Sequence, residues 1–311
     1  MLVPTPLEPS RIHPLVLFKR EDLLPTGSHK DRAAARQISV ALAAGSRAVV
    51  ISSSGNAGIA TAHAAALDNV PAFVFVHPAT DPAKLEAIGG ALTTTVVSPR
   101  AINGAKHVAR ELGLPNLRPS TNDEALVGYR DLAGELVAEA ESFDAVVLFA
   151  TSGATALAVA EGFATAAPGV AVHFVQGEGN AALADPAVAV TDETAHVAAA
   201  GRLGVRRSRR GPAMLAAVEA TGGRGHVASA VDVAQARALL ASDAIEVSDE
   251  SAANLAVALR LADEGLRVAC LISGSPPPPV DVPARLVQVA DERQALEVLR
   301  KLVSELPPGT S

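Results

Sequence analysis

Residues Arg47–Leu67 read RAVVISSSGNAGIATAHAAAL. RAVVIS (Arg47–Ser52) is a short apolar run of the kind that forms a strand buried on both faces. Ser, Gly and Asn then make a turn, and the Ala-rich stretch Ala57–Leu67 follows as a helix. The same alternation repeats on both sides. Strand patterns are read at Ala72–Val76, Leu92–Val97, Ala145–Phe149, Val170–Val175 and Arg267–Ile272. Helical patterns lie at Pro82–Ile88, Ile102–Leu112, Glu124–Ala140, Gly153–Ala166, Ser251–Asp263 and Asp291–Leu306. Apolar strands alternating with helices indicate an α/β fold built on parallel sheets. Such sheets bind ligands where the carboxyl ends of strands turn into helices. The Pro276–Pro279 run reads as a local stiff connector, because a final helix follows it.

The chain has 311 residues, so two lobes are expected in place of one core. Hydrophobic residues make up 49% and charged residues 19%, which is globular composition. A net charge of −7 argues against a nucleic-acid partner. The short basic run Arg206, Arg207, Arg209 and Arg210 reads as a solvated loop or helix end. The single cysteine, Cys270, excludes an internal disulfide and a cysteine-based metal site, and no metal is expected. The opening segment lacks a basic region followed by an apolar run, so no secretory signal is expected. No uninterrupted apolar run of membrane-spanning length occurs. A cytoplasmic protein without membrane partners is the simplest reading.

Four strand-to-helix or turn segments could carry chemistry. In KREDLLPTGSHKDR (Lys19–Arg32), a Pro25–Ser28 turn sets Lys30 at a helix start. There the helix dipole disfavours an ammonium, and a neutral amine is what Schiff-base chemistry needs. Taken alone, a surface lysine is the plainer reading. SSSGNAG (Ser52–Gly58) offers hydroxyls, backbone N–H groups and an Asn at a helix start, a cradle for a carboxylate or an ordinary capped turn. ATSGATA (Ala150–Ala156) has the same logic and suits a phosphate monoester. It is neither a Walker A loop nor a dinucleotide fingerprint. LISGS (Leu271–Ser275) could set a hydroxyl against a ligand ring, or simply turn into the prolines.

In order and spacing, these segments resemble those of the fold-type II pyridoxal 5′-phosphate (PLP) enzymes, over roughly residues 14–276. PTGSHKDR resembles the lysine motif of threonine synthases, where Phe commonly stands in the place of His29. SSSGNAG resembles their Ser-x-Gly-Asn motif, and ATSGATA their phosphate loop with its glycines reduced to Gly153. The resemblance implies two open, twisted α/β lobes of the tryptophan synthase β-like fold with PLP in the cleft between them. It implies a large domain of residues 1–49 and 118–311 and a small one of 50–117. It makes Lys30 the Schiff-base lysine and the base at the substrate Cα. Asn56 would orient the PLP ring, and Ser53, Ser54, Gly55, Asn56 and Ala57 would bind the substrate. Thr151, Ser152, Gly153, Ala154 and Thr155 would hold the PLP phosphate, and Ser273 would face the ring nitrogen. A neutral hydroxyl there would give a weaker electron sink than a carboxylate, which suits elimination and replacement. A homodimer and a small amino-acid substrate are implied as partners.

Within the superfamily the motifs divide. Lys-Asp-Arg after His29 and the Ser-Gly-Asn-Ala-Gly run look like threonine synthase, which converts phosphohomoserine to threonine. KRED at 19–22 and the Ser273-Gly274 ending look more like serine/threonine dehydratases. The Asn-Pro-Tyr-Arg segment whose Arg binds substrate phosphate in threonine synthases reads Asn122-Asp123-Glu124-Ala125 here. Arg130 could stand in for that Arg. His29 could serve as a further acid or base, or only pack. The Glu-Pro-Ser-Ser-Ala-Ala pattern of these families reads Ser248–Ala253, and the Gly177–Arg210 region is short and Ala-rich. The expectation is a PLP-dependent lyase acting at Cβ or Cγ of a small amino acid, threonine synthase-like. Its rivals are an L-serine/threonine ammonia-lyase and a non-catalytic PLP-binding protein.

Overall fold

The apolar runs assemble into two separate sheets. A computed structural model describes residues 2–187, 199–200 and 208–306. The chain divides into two compact units, each holding one whole sheet.

The first unit comprises Lys30–Gly128 and the described residues from Pro277 onward. Its sheet has four strands in the order β10-β5-β4-β3: β3 is Val49–Ser52, β4 Ala72–Val76, β5 Thr93–Val97 and β10 Arg285–Gln288. All pairings are parallel. Alternate side chains enter opposite cores, as the period of two in a strand requires. Val49, Ile51 and Val74 face Ala34 and Ile38 of helix α1 (Lys30–Ala43) and Ile59 of α2 (Asn56–Leu67). Val50, Phe73 and Phe75 face Val108 of α4 (Ala101–Leu112) and Leu299 of α10 (Glu292–Ser304). Helix α3 (Pro82–Ala87) is capped by Asp81.

The second unit comprises Leu2–His29 and the described residues of Tyr129–Pro276. Its six strands run in the order β1-β2-β9-β6-β7-β8. They are β1 (Leu7–Pro9), β2 (Val16–Arg20), β6 (Ala145–Phe149), β7 (Ala171–Gly177), β8 (Gly225–Ala228) and β9 (Val268–Ile272). Only the β1–β2 pair is antiparallel. Its helices are most of α5 (Glu124–Ala138), then α6 (Ala154–Ala166), α7 (Gly211–Ala220), α8 (Ala230–Ser242) and α9 (Asp249–Asp263). Ala252, Leu255 and Val257 of α9 lie in the main core with Val147 of β6 and Cys270 of β9.

The α/β class and its parallel sheets are as expected, but the borders differ from the sequence reading. Crossings fall at His29/Lys30, Gly128/Tyr129 and Pro276/Pro277, where borders at 49/50 and 117/118 were read. The reason lies in the cores. Helix α1 contributes Ala34, Ile38 and Ala41 to the first unit, and α10 contributes Ala295 and Leu299. The proline run is therefore the last junction between units, not a local connector within one.

Candidate active site

Lys30 is the first residue of α1, as the turn chemistry implied. The turn before it is tied down within the second unit. Gly27 has a left-handed φ of 76°, and a Cβ there would collide with the Ser275 hydroxyl. Gly27 O accepts from Gly274 N at 2.8 Å and Ser275 N at 3.1 Å. The Ser275 hydroxyl donates to Asp22 O at 3.0 Å. The stretch leading to Lys30 is thus fastened to the segment that carries Ser273. Upstream, Lys19 is no loop residue. It sits buried on β2, where its ammonium meets Glu135 at 2.5 Å and Thr5 O at 2.6 Å. Removing one member of such a pair strands the other charge, so Lys19 reads as structural.

Ser273 follows β9. Its backbone is clamped by Ser251 of α9, whose hydroxyl accepts from Ser273 N at 2.8 Å and donates to Ser273 O at 2.6 Å. Asn254 of α9 donates to Leu271 O at 2.9 Å. The Ser273 hydroxyl accepts from His29 N at 3.1 Å and lies 2.8 Å from His29 Nδ1. The His29 ring is 5.7 Å from that of Tyr129 on α5. His29 therefore makes a polar contact and does more than fill space.

Ala150–Thr155 connects β6 to α6 in the second unit. Gly153 stands before the helix with φ 81°, and no described side chain caps it. Outside residues hold the loop. Gln176 of β7 donates to Ala150 O at 3.1 Å while its Oε1 accepts from Leu183 N and Ala184 N. The Ser208 hydroxyl donates to Ser152 O at 2.6 Å. Met214 of α7 fills the space beside Gly153. Thr155 is buried next to Tyr129, whose phenol is pushed up by burial against smaller opposing effects of Thr155 and the Arg210 charge. Arg210 corrects the reading of a solvated basic run: it is buried, whereas Arg209 is exposed. Arg206 and Arg207 lie outside the described residues, as does much of the Gly177–Arg210 stretch.

Ser53–Ala57 connects β3 to α2 in the first unit. Its residues are all half-buried, and Gly55 precedes the helix with extended backbone and no side-chain cap. Ser53 N donates to Phe75 O at 3.1 Å, and Gly58 N and Ile59 N donate to Gly55 O. The Ser52 hydroxyl is buried with no protein partner among the described residues. Asn56, expected as a ring-orienting residue, is the first residue of α2.

The first unit thus gathers Lys30 and Ser53–Ala57, and the second gathers Ser273, His29 and Thr151–Thr155. Sequence reading missed Gln176, Ser208, Met214, Tyr129 and Ser251. Of these, Ser251 and Ser208 stood within stretches already noted, Ser248–Ala253 and Gly177–Arg210, and Tyr129 stands next to Arg130. Ala125 is fully buried and Arg130 is exposed beside Ala158 and Glu161, so Arg130 does not replace the missing arginine from within the fold. Burial pushes the Cys270 thiol far up, which keeps it unreactive.

A family model described as "Pyridoxal-phosphate dependent enzyme" matches residues 2–274. No curated protein matches the sequence. Among solved structures, maize serine racemase is similar at 19% identity and a TM-score of 0.74, covering 97% of this chain and 93% of its own. Threonine deaminase isoform 2 from Solanum lycopersicum gives 17% identity and a TM-score of 0.74, covering 88% of this chain and 84% of its own. O-ureido-L-serine synthase gives 21% and 0.68, covering 99% and 94%. At such identities the likeness concerns the fold.

Proposed function

Because this chain belongs to the family of pyridoxal-phosphate dependent enzymes, we propose that it is a lyase that carries PLP on Lys30 and eliminates a group from a small amino acid. The residues present fit that cofactor. A phosphate dianion suits the start of α6, where no described side chain caps the helix and Gly153 opens the turn. A hydroxyl for the ring stands at Ser273, and an amine stands at the first position of α1. PLP, when bound, withdraws electrons from the Cα of an amino acid joined to it. Lys30 would hold the cofactor and then carry the Cα proton. Thr151–Thr155 would fix its phosphate, and Ser273 its ring nitrogen. Ser53–Ala57 would hold the substrate carboxylate on backbone N–H groups at the start of α2. Asn56 would orient the ring.

One observation favours one substrate class over the other. A γ-phosphate needs a cation, yet Ala125 occupies the arginine's place and Arg130 faces solvent. Asp123 and Glu124 beside Ala125 are acidic, Glu124 being paired with Arg36 at 2.8 Å, and supply no cation in the arginine's stead. We therefore favour a β-hydroxy amino acid whose hydroxyl leaves as water, the released enamine then taking up a water to give ammonia and a 2-oxo acid. A threonine deaminase among the similar folds supports this reading. The threonine synthase-like reading, phosphate loss from phosphohomoserine, keeps the support of the Lys30-Asp31-Arg32 and Ser54–Gly58 motifs. Incubating PLP-loaded protein with serine, threonine and phosphohomoserine tests both. The expected result is 2-oxo acid and ammonia from the hydroxy amino acids. Phosphate release from phosphohomoserine alone restores the second reading. Cofactor bound without turnover of any amino acid leaves a non-catalytic binding protein. We further propose that the protein works in the cytoplasm as a homodimer.

A further inference from the structure

The Ser273 hydroxyl has one proton and two lone pairs. Its direction is limited, because Ser251 fixes the Ser273 backbone at both N–H and C=O. One lone pair accepts from His29 N at 3.1 Å. The contact with His29 Nδ1 at 2.8 Å can be made in two ways. If Nδ1 carried a proton, two N–H groups of one residue would converge on one oxygen, with their hydrogens side by side. If Nδ1 is bare, the hydroxyl accepts from the backbone and donates to the ring. The bonds then alternate in a closed cycle, and each polarises the next favourably. The second arrangement wins, and the imidazole keeps its own proton on Nε2. The hydroxyl proton is then committed to His29. One lone pair remains for anything that faces Ser273.

We propose that His29 is a positioning residue that turns Ser273 into an obligate hydrogen-bond acceptor for the cofactor's ring nitrogen. This rests on the reading above that the ring nitrogen faces Ser273. An acceptor there requires an N–H partner, so the ring nitrogen is held protonated and the electron sink is strengthened. That reverses the expectation from a neutral hydroxyl considered alone. It widens the chemistry this chain can support at Cα beyond what a free serine would allow. With Phe at position 29, as in threonine synthases, the hydroxyl would be free to turn and donate to a bare nitrogen.

The test has two parts, both read by nitrogen-15 NMR. In the PLP-free protein, the His29 ring should show a bare, hydrogen-bonded Nδ1 and a protonated Nε2. In protein loaded with ring-labelled PLP, the ring-nitrogen signal should lie in the protonated range. It should move toward the unprotonated range in His29→Phe. Ser273→Ala, which leaves His29 in place, should produce the same displacement and serves if His29→Phe fails to fold. A protonated Nδ1 overturns the orientation argued here. An unchanged ring-nitrogen signal in either variant overturns the proposal. Failure of the wild type to take up PLP overturns the proposed function and the ring-nitrogen half of this proposal, while the Nδ1 measurement decides the other half alone.

Discussion

The loops after β3 and β6 are built on one plan and held in opposite ways. Each leaves a buried parallel strand, passes through small residues and opens a helix that no described side chain caps. At Ser53–Ala57 the glycine before the helix is extended, and a Cβ on it would meet nothing. At Thr151–Thr155 the corresponding glycine is left-handed, and Met214 sits where a Cβ would go. Gln176 and Ser208 tie that second loop to β7 and to the segment before α7. The difference suits two kinds of occupant. A cofactor phosphate is a permanent tenant, for which a preset loop gives affinity. A substrate carboxylate comes and goes, and a loop with fewer outside ties costs less to release it.

Four perturbations should break or sharpen that contrast. Gly153→Ala is expected to do most damage. It places a side chain in the left-handed region, at about 1–3 kcal/mol, and forces Met214 aside, at about 1–3 kcal/mol more. Thermal unfolding should show the loss, and PLP affinity should fall at least tenfold by titration. Gln176→Ala comes next. It removes a bond to Ala150 O and leaves Leu183 N and Ala184 N without their acceptor, at a cost of about 2–3 kcal/mol. Denaturant unfolding and a matching loss of PLP affinity check it.

The third is acid. His226 on β8 lies 3.0 Å from His173 Nδ1 on β7, the strand that carries Gln176. Burial, then His173, Arg224 and Arg260, push His226 down to about 4, and burial lowers His173 as well. The folded state prefers these rings neutral. Their contribution is therefore whole above the ordinary histidine value of about 6.5 and declines as pH falls from there toward 4. Urea midpoints across that window should drop, and His226→Phe should flatten the drop. Gly55→Ala should do least to the fold, within about 0.5 kcal/mol. It should instead raise KM several-fold with PLP binding intact. A large stability loss at Gly55, or none at Gly153, would erase the distinction between the loops.

The parts of this design that were legible in sequence are those written locally. RAVVIS and AVVLF declared buried strands, and the small-residue turns after them, with the Pro25–Ser28 turn, declared helix starts, so Lys30, Asn56 and Gly153 fell where expected. What holds those loops was not legible. Gln176, Ser208 and Met214 reach Ala150, Ser152 and Gly153 from residues 26 to 61 positions away, and nothing beside them marks the contact. Strands β1, β8 and β10 are short, and β10 is largely exposed, so they lack the alternation that would announce them. Helix α8 did carry a signal, the Ser229–Asp232 capping box, which sequence reading passed over. Unit borders escaped because the place of α1 and α10 is set by packing, Ile38 against the neighbouring β3 and Leu299 against strands distant in the chain, and not by any turn or composition change.

The central claim is that Lys30 carries the cofactor, and its most direct test is the visible absorbance of protein mixed with PLP and freed of excess. The wild type should show the band of lysine-bound PLP, borohydride should remove it, and peptide mapping should find the label on Lys30. Lys30→Ala should show no band while still retaining PLP weakly through the Thr151–Thr155 loop. A wild type without the band, or a label on any of the other four lysines, would contradict the account.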